Sequence, residues 1–511
     1  MPLGPSGADG NDRASVSNRL PISPLDGAQA GGMNLARLLL TAGLIIAPFS
    51  AAWAHASERG FILLLPTHLY IISGGLVVAL SFVVMALIPR LGLRAVEMAR
   101  WRLSALPYLS TVGPSLVAAA FVVALVVAGY IGSRDPMDNP LPQVVWGVWW
   151  VGFTFAHALF GNLWAYVNPW LGPYRLVTML PGLRAWRRSP PLRYPESLGY
   201  WPAIVLLLAF AWLELIHPSP MEPTLLASAA IVYSALTMLG MLLFGEKTWL
   251  RQGETFSIYF RIVAWLSPFG LEKEQPNRTG DSRVHLLAML PGAKLLQVGA
   301  LPLSGAVFVL LALAAVSFDG LSKSFWWLSL IGENPLEHPG RTVLMGVNSL
   351  GFLAMFGALV TAYLLAVLFG RVLVGSKVSR VETIGRFVIS IVPIAFAYHF
   401  AHYLPAFLIN VQYAVRTISD PFDLDWNLLG TRDMHVTTSM LSNYDSVQAI
   451  WNIQAVAIIV AHVVAVAVAH VLALRSTANL RTAMLSQIPM TILMIAYTVF
   501  GLWLLATPTT G

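Results

Sequence analysis

The chain has 511 residues, 57% of them hydrophobic and only 11% charged, with a formal net charge of +7. A water-soluble domain carries roughly 25% charged residues, so this composition excludes a conventional soluble fold and suits a surface that faces lipid. The basic residues are dispersed over short gaps between apolar runs, which argues against nucleic-acid binding, and the lack of Cys excludes disulfides, thiolate metal sites and Cys nucleophiles.

Residues 1–32 are rich in Gly, Ser, Pro, Asp and Asn and read as a disordered leader, or as sequence upstream of the true start. Residues 33–56 read as a signal peptide or a first helix. Arg37 supplies a charged start, Leu38 to Phe49 an apolar run, and Ala52-Trp53-Ala54 a small-x-small cleavage signal. Cleavage after Ala54 would make His55 the first residue, and its α-amine and imidazole would then form a copper-chelating pair.

Residues 57–511 read as a single transmembrane helical domain, an all-α polytopic membrane protein with about ten spanning helices. A span needs about 20 mostly apolar residues. The candidates are 69–88, 112–131, 144–166, 199–216, 223–244, 298–317, 343–369, 387–411, 447–474 and 485–506. Alternate gaps hold most of the Arg and Lys: Arg90 to Arg102, Arg175 to Arg193, Lys247 to Lys294, Arg371 to Arg386, and Arg475 with Arg481. The positive-inside rule makes those gaps cytoplasmic. The mature N-terminus and the C-terminus then lie outside a bacterial inner (cell) membrane, as a cleaved signal requires. The cytoplasmic gap 245–297 contains an apolar-aromatic stretch, Ser257 to Trp265, expected to lie along the interface as an amphipathic helix. The external gap 412–446 is rich in Asp.

Ionisable side chains inside a bilayer are costly and normally face a protein interior or a wet cavity. His157, His399, His402 and His462 fall at similar predicted depth on three spans, with Glu214 and His217 at the outer end of a fourth. Glu214/His217 and His399/His402 are each three residues apart, so each pair shares a helix face. Such pairs can offer two ligands to zinc, copper or iron. The bland alternative is that each His satisfies a buried hydrogen bond between helices. Asp319, in Ser317-Phe318-Asp319-Gly320, is either a ligand or base, or a turn residue before a glycine. Asn168-Pro169, flanked by Trp164, Tyr166 and Trp170, reads as a structural helix end. The chain has no G-x-S-x-G elbow, no H-E-x-x-H and no complete Walker loop.

Four stretches together, Ala52-Trp53-Ala54-His55-Ala56, Gly161–Trp170, Ser317–Ser322 and Tyr398–Tyr403, resemble the bacterial membrane-bound fenitrothion hydrolase group, over most of the chain from Met33 onward. The resemblance implies hydrolysis of an organophosphorus triester with release of a phenol. Such neutral, apolar substrates would reach a buried site from the bilayer. In a metal-assisted scheme, His399, His402 and His462, with His217, would be ligands, Glu214 or Asp319 a base or further ligand, and His157 a proton shuttle or an orienting group. Two other classes compete. A metal-ion or proton-coupled small-solute transporter fits intramembrane His and Glu, although no inverted repeat is visible. A copper-handling protein would use a terminal His55 with His68.

Overall fold

The computed structural model describes residues 65–87, 100–107, 110–273, 283–337, 339–477 and 479–509. The leader, the signal-like segment, His55 and His338 lie outside the described residues. Among the described residues, ten helices are long and apolar enough to cross a membrane. Those used below are α1 (Thr67–Leu87), α2 (Val112–Ile131), α3 (Pro140–Phe160), α4 (Trp201–Leu215) and α5 (Pro223–Phe244). Two short helices follow, α6 (Glu246–Gln252) and α7 (Thr255–Val263). The remaining spans are α8 (Leu303–Ser322), α9 (Arg341–Leu373), α10 (Arg380–Ser419), α11 (Tyr444–Ser476) and α12 (Leu480–Ala506).

The spans are not equivalent. The most apolar 18-residue windows of α8 and α10 are each 78% buried within the protein, against 17% for α1 and 22% for α2. The bundle therefore has a protein-lined centre at α8 and α10, and outer helices whose exposed Leu69, Ile72, Leu76, Val117 and Val123 suit lipid. Exposed aliphatic residues carry no penalty there, because lipid tails are as apolar as the side chains. Small residues set the closest approaches. A Cβ on Gly147 or Gly152 of α3 would stand 2.8 Å from Asn410 or 2.7 Å from Phe407 of α10.

Three local features depart from the sequence reading. First, α8 occupies 303–322 rather than 298–317. Pro302 precedes the first helical residue, and its ring disfavours helical backbone in the residue before it. The whole helix slides toward its C-terminus, so Asp319 sits inside its last turn and not in a loop. Second, α3 ends at Phe160, where Gly161 takes φ +97° and breaks the helix. His157 is thus in a last turn and not at mid-span. Third, the Ser257–Trp265 stretch packs into the bundle and does not lay its apolar side on lipid. In α7 only Ser257 and Arg261 keep appreciable exposure, and the other residues are buried among α3, α4 and α10. The helix is amphipathic as expected, with Ser257 and Arg261 on its polar side, but neighbouring helices cover its apolar side.

The all-α expectation holds for the spans but misses a small antiparallel sheet. Strands β1 (Arg100–Pro107), β2 (Phe269–Lys273) and β3 (Arg283–Met289) pair in the order β1-β3-β2. Arg100 lies opposite Met289, and Phe269 opposite Ala288. The sheet ties together two Arg-rich gaps far apart in sequence, and Arg102 reaches Glu272 at 2.9 Å across it.

Candidate functional site

The site is built on α10, where His399, His402 and Tyr403 face three different neighbours. His402 faces α8. Its Nε2 lies 2.5 Å from Oδ2 of Asp319, whose residue is 3% exposed. Lys323, one helical turn beyond Asp319, places its Nζ 2.6 Å from Oδ1. One carboxylate thus holds an imidazole on one oxygen and an ammonium on the other. The His402 side chain keeps 21% of its surface open. No described residue bonds to its Nδ1.

Tyr403 faces α4, and its hydroxyl donates to Oε1 of Glu214 at 2.7 Å. The end of α4 is closed by Arg341 from α9, whose guanidinium donates to the carbonyls of Glu214 at 2.9 Å and His217 at 3.3 Å. These carbonyls belong to a helix C-terminus with no intrahelical partners left, so a cation is a natural cap.

His399 faces α3 and α7. Its ring stands edge-on to Trp150 at 5.0 Å, and the Tyr259 hydroxyl is 3.5 Å from Nδ1. Trp150 belongs to the stretch Gln143–Gly152, which winds in wide π-type turns that recur at functional sites. A cavity of about 30 Å³ lies between these helices, lined by Trp150, Glu214, Tyr259, His399 and Tyr403 on its polar side. That is room for one water. Among the described residues, the buried Nε2 of His399 has no hydrogen-bond partner, and Nε1 of Trp150 lies near Glu214 and Tyr403 without a well-formed hydrogen bond; both side chains line this space.

Helix α10 also has a built-in defect. Pro405 lacks the N–H that would bond the carbonyl four residues earlier, at Ala401. Gln454 of α11 fills the gap, donating to the Ala401 carbonyl at 2.6 Å. Irregular backbone at membrane depth persists only where such partners exist. This one fixes the turn that carries His402 and Tyr403.

The other residues expected at the site are elsewhere. His157 donates through Nδ1 to the Phe153 carbonyl at 2.6 Å and accepts the Trp164 N–H on Nε2 at 2.9 Å. Both ring nitrogens are used, and the ring bridges the break at Gly161, so it has no free site for a shuttled proton. His462 donates to Ile458 of its own helix at 2.8 Å, and its ring packs near Tyr398. His217 accepts the Ser219 N–H at 3.1 Å in the turn after α4. His399 and His402, despite their spacing, share no hydrogen-bond partner among the described residues, although both rings pack against Tyr403 at 4.7 and 4.8 Å. Among the described residues, no three His, Asp or Glu side chains are close enough to hold a metal ion. The four expected ligands, His399, His402, His462 and His217, make separate contacts in this structure. Glu214, Asp319, His399 and His402 do gather around one stretch of α10. Tyr403, Lys323, Trp150 and Gln454 complete it. Of these, only the Asp319/Lys323 pair had a sequence signal, its four-residue spacing.

Comparison with protein-family models, curated proteins and solved structures finds no match. Function therefore rests on the chemistry of the site. A carboxylate on Nε2 takes the N–H of a neutral imidazole and leaves the Nδ1 lone pair open. A buried Asp orienting a partly open His is the arrangement of a general base, with the Asp stabilising the imidazolium that forms.

Proposed function

We propose that this chain is a membrane-embedded hydrolase of neutral, apolar organophosphorus triesters, with its Arg-rich ends cytoplasmic and both termini outside a bacterial inner membrane. The observation that carries the reading is the Asp319–His402 pair with Nδ1 unoccupied by any described residue. The likeness to the fenitrothion hydrolase group supplies the substrate class. His402 Nδ1 takes a proton from water as the oxygen attacks phosphorus. The P–O bond to the aryl group breaks, and the proton passes from His402 to the departing phenolate. Asp319 holds the ring and the charge, while Lys323 fixes the carboxylate from its other side. No step is routed through a metal, because the donors are not gathered. The 30 Å³ cavity is too small for a triester, so substrate approaches His402 from its open side, where lipid-dissolved molecules arrive.

The direct test is phenol release from a fenitrothion-type triester by detergent-solubilised protein. Wild type turns over, and His402→Ala and Asp319→Asn fall by about 10²–10⁴-fold, the usual contribution of a general base. Turnover unchanged in both variants would overturn the reading.

A proton-coupled small-solute transporter is the second reading. It is favoured by charged and hydrogen-bonded groups, Lys323–Asp319–His402 and Glu214–Tyr403, clustered at the ends and interior of spanning helices. In that case detergent-solubilised protein releases no phenol, sealed vesicles show proton-linked uptake, and the same two variants abolish it.

A further inference from the structure

A second, larger opening lies at the other end of the bundle, among the ends of α3, α4, α5 and α8 that adjoin the Arg-rich gaps. It is a groove of about 770 Å³. Its lining includes Lys247, Arg251 and Arg261, two tryptophans, Trp164 and Trp265, and Asn162, but no carboxylate. Neither Lys247 nor Arg251 nor Arg261 makes an ion pair with any described residue. The nearest acids are already engaged. Glu246 pairs with Arg175 at 3.1 Å, and Glu254 accepts the Phe256 and Ser257 N–H groups at the start of α7. Arg261 spends two N–H groups on the Leu250 and Arg251 carbonyls, which holds its guanidinium at the groove while burial lowers its pKa. Trp164 is only 5% exposed, and its indole N–H has no hydrogen-bond acceptor among the described residues. Lys247 and Arg251, without an acidic partner among the described residues, and Arg261, only partly offset by Glu254, stand beside apolar walls, Leu250 and Val298 to Pro302, and make a site for an anion attached to something greasy.

We propose that this groove binds the phosphate headgroup of an anionic membrane lipid. The headgroup phosphate meets Lys247, Arg251 and Arg261, and the acyl chains leave along the apolar walls into the bilayer. This inference is independent of the reaction proposed above. The chemistry it requires is a phosphate group with net negative charge, which a soluble phosphate compound also carries.

The full chain in detergent is titrated with dioleoylphosphatidylglycerol and with dioleoylphosphatidylcholine, and bound lipid is counted by native mass spectrometry. Phosphatidylglycerol is expected to bind at least about tenfold more tightly. The double variant Lys247→Gln/Arg251→Gln loses that preference, two near-surface cations together accounting for up to about thirtyfold. Arg184→Gln/Arg187→Gln removes two exposed charges at the same end of the bundle and is expected to leave lipid binding unchanged. Equal binding of both lipids, or equal loss in the two double variants, overturns the proposal. Inorganic phosphate at millimolar concentration distinguishes the sources. Failure to displace phosphatidylglycerol assigns the site to lipid, and displacement assigns it to soluble phosphate compounds. Matching thermal unfolding of the variants without lipid separates lost binding from lost folding.

Discussion

His399 and His402 are identical in type, three residues apart, and unequal in consequence. His402 is bonded to a buried carboxylate, and His399 is wedged among aromatic rings with one nitrogen unpaired. Replacing His399 with Phe is expected to leave phenol release within about tenfold of wild type, whereas His402→Ala removes the base and costs about 10²–10⁴-fold. Equal losses in the two would point to a shared ligand role instead. Gln454 offers a second residue-scale test. Gln454→Leu strands the Ala401 carbonyl in an apolar interior, at a cost of about 1–3 kcal/mol. Adding Pro405→Ala restores an N–H one turn away and is expected to recover much of that loss. Thermal unfolding in detergent measures both, and additive losses in the double variant would contradict the assignment.

At the scale of elements, proline and glycine decide where helices start and how closely they pass. Pro302 slides α8 far enough to bring Asp319 into a buried last turn, and a register set four or five residues earlier would leave the carboxylate in a loop. Close packing locks the partner helix at its other end. The Leu301 N–H donates to the Gly385 carbonyl at 2.9 Å, and a Cβ on Gly385 would fall 1.7 Å from the Leu301 carbonyl oxygen. Backbone cannot yield as a flexible side chain can. Gly385→Ala is therefore expected to displace the start of α10 from α8 and to lower the yield of folded protein recovered from membranes. Size-exclusion profiles in detergent read that out, and a wild-type profile would show that the two helices can separate without cost. Apolar periodicity located these spans but not their ends, because a hydropathy pattern is blind to the single residue that favours starting a helix at one position.

For the whole molecule, the Arg and Lys asymmetry makes a testable statement about orientation. The chain contains no Cys, so single cysteines can be introduced without background. Ser442→Cys, exposed in the Asp-rich connection before α11, is expected to react with a membrane-impermeant maleimide in intact spheroplasts. Ser189→Cys, exposed in an Arg-rich connection, reacts only after permeabilisation. The reverse pattern would invert the topology and move the Asp319–His402 pair to the cytoplasmic half.

The amino-acid sequence by itself located the ten described spans and the alternate gaps in which positive charge collects. Both follow from the transfer of short segments between water and lipid, a free energy that each segment carries alone. Tertiary structure alone decided which polar groups meet. The sequence could not say that His157 would spend both nitrogens bridging a helix break, that α7 would be buried, or that Asp319 would pair with His402. Each of those outcomes depends on a partner from a distant segment, and in an apolar interior a polar atom's role is set by the one neighbour that satisfies it.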